Sequence, residues 1–248
     1  MGSYGIVKHC QVKVKGLWVS GVIKSLIYPE LEDIVDFERE AVVLQTLSGI
    51  SGVPELYGRQ GKQGPKDIVM SYNGSLTLFE LQTASQLGVA SWALLVGVLK
   101  KVVMILHDVH ERGLGHNDLH ANNIVVDDTL NPTIVDFGYA RPFGKLMVMK
   151  LVPLKCALWS QYDPLLSVCG QPTCPENDVY SFGRLVYDVL LGDQSYPLEQ
   201  WQRLEGLAVK ALSPHKENRP TLPEFYDCLH DLEMICLALF TGGSAYKG

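Results

Sequence analysis

Residues 113–128 read GLGHNDLHANNIVVDD, and residues 132–138 read PTIVDFG. Each stretch joins a short β-branched run to side chains that ionise or hydrogen-bond. Ile124-Val125-Val126 and Thr133-Ile134-Val135 suit two short strands, and the Asp- and Asn-containing residues between them suit a turn. Asp118, His120, Asn122 and Asn123 precede the first strand, and Asp136 follows the second. A solvent loop needs no such arrangement. Taken alone, the first stretch also fits a polar turn ahead of a strand, so the rest of the chain has to decide its use.

Composition narrows the choice. The chain has 248 residues, of which 47% are hydrophobic and 19% charged, enough for a packed globular core. Its formal net charge of −6 argues against a nucleic-acid surface or a basic membrane face. Six cysteines are scattered, and only Cys169 and Cys174, in CGQPTC, stand close together. No second Cys/His pair sits at ligand spacing, so reduced thiols are expected rather than a metal framework. The most apolar run, ALLVGVLKKVVMIL, is split by Lys100 and Lys101 and reads as a buried helix with two exposed lysines. The first residues show no secretory pattern, and MGSYGI has Ile6 where a myristoylation signal has Ser or Thr. These features lead us to expect a cytoplasmic protein with neither membrane nor nucleic-acid partners.

Along the chain, β-like pieces come first: QVKVK alternates and LWVSGVIK is rich in β-formers. Phe37, Ala41, Leu44 and Leu47 fall at helical spacing within 34–48. DIVMSY (67–72) reads as a strand broken by the adjoining NGS. Helices are then expected over 90–111, 178–192, 200–212 and 222–240. Strands early and helices late indicate two lobes, joined near SYNGS.

Five polar residues recur in order: Lys24 closing GVIK, Glu40 on the next helix, Asp118 and Asn123 in the opening stretch, and Asp136 in VDFG. This order resembles the protein-kinase superfamily, with its strand Lys, helix Glu, H-R-D-L-x-x-x-N loop and D-F-G. DVYSFG and ENRPTLPEF resemble later segments of the same family. The resemblance covers residues 2 to about 235. It implies an α+β, two-lobed fold: a β-rich N-lobe (1–72) truncated at its first strand, a larger helical C-lobe (73–240), and a tail (241–248).

It also implies roles. ATP and Mg²⁺ would be the cofactors. Lys24 would hold the α- and β-phosphates, fixed by Glu40, which precedes AVVL as the family's glutamate precedes a Leu or Met; Glu38 reads as a solvated charge. Asp136 and Asn123 would hold metal, and Asp118 would accept the substrate hydroxyl's proton. Met70 would stand at the gatekeeper position, the backbone of Ser71 and Asn73 would meet adenine, and Val22 and Val125 would line its pocket. Gly2, Gly5 and Val7 would supply what is present of the Gly-rich loop, whose first glycine would fall before Met1.

The departures are specific. Asn117 replaces the Arg that usually binds an activation-segment phosphate, making the chain non-RD. No Ser or Thr occurs between Gly138 and Ser160, so control by phosphorylation of that segment is not expected. The segment carries apolar residues instead, from Phe143 to Leu154, able to hold it by packing. His120 stands where Ser/Thr kinases have Lys, and there D-x-H-x-x-N is closer to small-molecule phosphotransferases; a half-charged imidazole there would respond to pH. Leu165 replaces the glutamate of A-P-E, leaving Arg219 without its usual ion pair. The stretch after Gly192 is short where the family has a substrate-docking helix. The reading is therefore a protein kinase, Ser/Thr-type, acting on a protein substrate; the alternatives are a nucleotide-binding pseudokinase and a small-molecule phosphotransferase.

Overall fold

The computed structural model describes residues 5–26, 31–60, 67–86, 92–147, 163–167, 171–191 and 199–242. It opens with β1 (Gly5–Val14) and β2 (Leu17–Leu26), paired antiparallel without a break from Gly5↔Leu26 to Val14↔Leu17. Where the sequence suggested several short pieces there are two ten-residue strands, because two residues suffice to turn the chain. Those two, Lys15 and Gly16, have φ of 49° and 88°, as a tight hairpin between twisted strands requires. β3 (Leu56–Gln60) and β4 (Asp67–Ser71) complete a sheet of order β1-β2-β4-β3.

Helix α1 (Leu31–Thr46) follows β2. Phe37, Ala41 and Leu44, with Leu47 just beyond the helix, bury the stripe that the sequence spacing anticipated. Glu40 shares that protected environment at 2% exposure, so it needs a counter-charge.

The helical part begins with β5 (Leu76–Thr77) and α2 (Leu78–Gln86). The sequence reading did not foresee α2, whose apolar pattern is short. Its signal is a capping box: the Glu80 carboxylate accepts the Thr77 N–H at 2.8 Å, and Thr77 Oγ1 accepts the Glu80 N–H at 3.2 Å. Helix α3 (Trp92–Glu111) is the central buried rod. Lys100 and Lys101, expected to be exposed, are both tied down. Lys100 is 16% exposed and pairs with Glu233, while Lys101 donates to Asn131 Oδ1 at 2.8 Å.

After α3 come β6 (Leu114–Gly115), β7 (Ile124–Val126), β8 (Pro132–Ile134) and β9 (Arg141–Pro142). Helix α4 (Pro175–Val186) continues into a wider turn at Tyr187–Leu191. Helices α5 (Glu199–Ala211) and α6 (Leu222–Gly242) complete the bundle, with α6 against α3. A Cβ on Gly183 would lie 2.3 Å from Ala211 Cβ, so this glycine is what lets α4 and α5 approach. The β-rich early part and helical later part make the two-lobed α+β fold. Residues 148–162, 168–170 and 243–248, which include most of the apolar activation segment, Cys169 and the tail, lie outside the described residues, as does Gly2.

One expectation is overturned here. Arg219 has an ion-pair partner: Asp163, two residues before Leu165. Its Nη2 lies 3.1 Å from Asp163 Oδ1, its Nη1 pairs with Oδ2, and neither side chain is exposed. The remaining groups are matched too. Arg219 Nε donates to Ser213 O at 2.9 Å, Nη1 donates to Glu176 O at 2.9 Å, and Asn177 Nδ2 donates to Asp163 Oδ2 at 2.7 Å. A carboxylate offset along the chain thus replaces the missing glutamate. Removing one member strands the other as a buried charge, which costs about 3–5 kcal/mol. Asp163→Ala should lower unfolding stability by that amount in urea denaturation; a loss under about 1 kcal/mol, the range of an exposed pair, would contradict this account.

Candidate active site

The β7–β8 hairpin explains why the two polar stretches meet. Ile124 pairs with Ile134, and the Val135 N–H donates to Asn123 O at 2.9 Å. Antiparallel pairing brings the residues before β7 and those after β8 to the same end of the hairpin. Asp118, Asn123 and Asp136 converge there.

Asp178, in the first turn of α4, fixes the loop through its backbone. It is fully buried and accepts three hydrogen bonds: His116 N–H at 2.8 Å, Asn117 N–H at 2.7 Å, and His110 Nε2 at 2.8 Å. Burial alone would raise its carboxyl pKa; the His110 contact, nearby imidazoles and the Asn117 amide outweigh burial and hold it low. Sequence reasoning missed Asp178 and His110 as functional supports. The available signal was an Asp just ahead of the apolar part of a helix, in its first turn.

His116 is also fully buried, and burial depresses its pKa. Its Nδ1 accepts the Asp118 N–H at 3.2 Å, and its Nε2 lies 3.1 Å from Val135 O. One nitrogen accepts and the other donates, which selects the neutral Nε2–H tautomer. Its ring meets Phe137 edge-on at 4.7 Å, and Phe137 is itself fully buried. Asn117 adopts φ of 62°, a conformation asparagine tolerates better than most residues. Its Nδ2 donates to Gly115 O at 3.0 Å and to Tyr139 O at 3.2 Å.

Lys24 stands at the centre of the charge cluster. Its Nζ lies 2.7 Å from Glu40 Oε2 and 2.9 Å from Asp136 Oδ1. Glu40, and not the exposed Glu38, reaches the lysine. Burial opposes the ammonium, but the two carboxylates outweigh it and raise the lysine pKa. Asp136 is held below the usual carboxylate range: burial opposes this, and Lys24 more than offsets it. Asp136 also has φ of 63°, a strained backbone for a non-glycine residue. Asn123 Nδ2 donates to Asp118 O at 2.9 Å and Oδ2 at 3.1 Å, which leaves its carbonyl oxygen as the group suited to a hard cation.

His120 departs from expectation in its charge. Its Nε2 lies 3.6 Å from Asp118 Oδ1, beyond a good hydrogen bond. Burial, then the neighbouring His116, lower its pKa to about 4, so the imidazole is neutral at pH 7 rather than half-charged.

The residues expected around adenine lie on one face of the sheet. Val7 pairs with Lys24, which pairs with Ile68; Val22 pairs with Met70. Directly opposed residues of antiparallel strands share a face, so Val7, Val22, Lys24 and Met70 do too. Val7 is 61% exposed on that face and Met70 is buried. Val125 is half-buried in β7. Ser71 Oγ donates to Asn73 Oδ1 at 2.5 Å, and the Ser71 N–H donates to Glu55 O at 2.9 Å, which together fix the crossing between lobes. Gly5 is the first residue of β1; a Cβ there would meet Ser25 O at 2.5 Å, so close strand approach accounts for this glycine. Among the described residues no cluster of three His, Cys, Asp or Glu could hold a metal, and no helix is long and apolar enough to cross a membrane.

The protein kinase domain family model matches residues 1–239. Cysteine-rich receptor-like protein kinase 19 of Arabidopsis thaliana is 30% identical over 200 residues, 77% of this chain and 30% of its own length. Cysteine-rich receptor-like protein kinase 8 of Arabidopsis thaliana is 28% identical over 243 residues, 90% of this chain and 35% of its own. Cysteine-rich receptor-like protein kinase 6 of Oryza sativa subsp. japonica is 24% identical over 257 residues, covering 95% and 35%. The chain therefore spans about a third of the length of these curated relatives.

The histidine makes a signed prediction. The folded pKa of about 4 lies below the ordinary 6.5, so between these values the unfolded chain binds a proton that the folded one excludes. The stability contribution is complete above pH 6.5 and is lost as pH falls toward 4. In denaturation curves across that window, His120→Gln should flatten the decline; an unchanged slope would contradict the burial of a neutral imidazole.

Proposed function

The chain belongs to the protein kinase family, and on that premise we propose that it transfers the γ-phosphate of ATP to a hydroxyl of a protein substrate, acting as a Ser/Thr-type enzyme. The observation that carries the reading is Lys24, bound to Glu40 at 2.7 Å and to Asp136 at 2.9 Å, beside an Asp118–Asn123 pair anchored by buried groups. Phosphoryl transfer requires positioning and charge compensation more than covalent participation, and those are what this set offers.

Lys24, kept charged by its two carboxylates, would turn toward the α- and β-phosphates while Glu40 retains it. Val22, Met70 and Val125 would flank adenine, and backbone groups of Ser71 and Asn73 would meet its polar edge. Asp136 and Asn123 provide an oxygen donor set suited to Mg²⁺, with phosphates and water completing the shell. Bound there, Mg²⁺ would offset charge on the β- and γ-phosphate oxygens. Asp118 would receive the substrate hydroxyl's proton and orient that oxygen in line with the γ-phosphorus. A cytoplasmic setting is part of the same proposal; among the described residues Cys10, Cys174, Cys228 and Cys236 are free thiols.

One observation favours a second reading. A neutral His120 beside Asp118 gives the γ-phosphate no ammonium, as in the D-x-H-x-x-N loops of small-molecule phosphotransferases. Radiolabelled ATP offered with generic protein substrates, and separately with amino-sugars and alcohols, distinguishes the two. Label should enter protein, and Asp118→Asn should cut the rate about 10²–10⁴-fold, the usual contribution of a positioned general base. Label entering only small molecules would replace the protein-kinase reading. No transfer to any acceptor would support a pseudokinase.

A further inference from the structure

Helix α1 carries Glu40, and Glu40 is useful only while α1 stays against the turn just after Asp136. Residues Phe137–Tyr139 form that turn, and the C-cap amide of Ala140 closes it on Phe137 O at 3.0 Å. Three consecutive carbonyls, those of Gly138, Tyr139 and Ala140, accept side-chain hydrogen bonds there. Arg141 Nη1 donates to Gly138 O at 3.0 Å and to Ala140 O at 2.9 Å. Asn117 Nδ2 donates to Tyr139 O at 3.2 Å. The other arm of the same guanidinium, Nη2, lies 3.3 Å from Asp36 Oδ1.

Asp36 lies four residues before Glu40, one helical turn away on the same side of α1. It also pairs with Arg39. The Arg141 side chain is 13% exposed and that of Asp36 is 40% exposed, so the pair is partly shielded from water and salt. We propose that Asp36, Arg141 and Asn117 form a latch, built without a phosphate, that holds α1 and therefore Glu40 in the position where Lys24 can be gripped. Arg141 is the centre of the latch: its planar fork binds the turn with one nitrogen and the helix with the other, which a point charge cannot do. Asn117 ties the same turn to β6 through Gly115 O. All three are positioning residues, acting through Glu40.

The latch deepens the kinase reading, resting on it for any consequence in catalysis, but the order of α1 is measurable without activity. Amide hydrogen exchange on the full chain, after phosphatase treatment and without nucleotide, tests it. The variants are Asp36→Asn, Arg141→Gln and the double substitution. Gln retains amide donors for the turn carbonyls while losing the charge toward Asp36. Each single variant should speed exchange of α1 amides about 2–5-fold, the range of one partly exposed, coupled ion pair, with α3 amides unchanged. The double variant should match Asp36→Asn, because once Asp36 is neutral the Arg141 change finds no pair across the latch left to remove. Phosphatase treatment of the wild type should leave α1 protection unaltered. Three results would overturn the latch: α1 protection unchanged in both singles, a double variant that multiplies their effects, or phosphatase alone loosening α1. If the exchange results hold while the wild type transfers no label from ATP, the latch stands and the kinase reading falls.

Discussion

The Lys24 ammonium, held between Glu40 and Asp136, is the interaction on which the rest of the site depends. The three members come from separate elements: the lysine from β2, Glu40 from α1, and Asp136 from the residues after β8. Lys24 and Glu40 are 18% and 3% exposed at the side chain, and removing such charges from water costs several kcal/mol per ion. Contacts of 2.7 and 2.9 Å offset that cost only while the sheet, the helix and the hairpin keep their relative positions. The cluster is therefore a constraint on the lobes as much as a product of them. Without the lysine, the buried Glu40 carboxylate and the part-exposed Asp136 carboxylate would lose the cation that lies between them.

Two buried aspartates solve the matching problem in the helical lobe. Asp178 gathers the backbone of His116 and Asn117 with the ring of His110, so the loop bearing Asp118 is fixed by a charge that is itself fully hydrogen-bonded. Asp163 does the same for Arg219. Each is a buried charge whose cost is met by complete pairing, and each connects segments distant in sequence. The proposed latch at Arg141 extends this logic toward α1: an ion pair and hydrogen bonds encoded in the chain join the helix to the turn after Asp136.

Much of this was legible in the sequence. The Phe37-Ala41-Leu44 spacing announced α1, and the β-branched runs announced β7 and β8. The order of Lys24, Glu40, Asp118, Asn123 and Asp136 brought the candidate site into view. What escaped was set by partners remote in the chain. Arg219 looked unpaired because the expected carboxylate position holds Leu165, and nothing local shows that Asp163 reaches back to it. His120 looked half-charged because burial, which lowers its pKa, is a property of the packed loop. The lysines of α3 looked solvent-facing until Glu233 and Asn131 were brought beside them. Helix α2 was hidden in a short polar stretch whose capping box was the readable sign.

The central claim is that these charges form a ready-made seat for a metal-bound nucleotide. Calorimetric titration of ATP into the purified chain, with Mg²⁺ and then with the cation chelated, tests it most directly. The account predicts saturable binding with Mg²⁺ that weakens on chelation and weakens likewise in Asp136→Asn. Absence of binding with Mg²⁺ present, or binding indifferent to both the cation and Asp136, would contradict it.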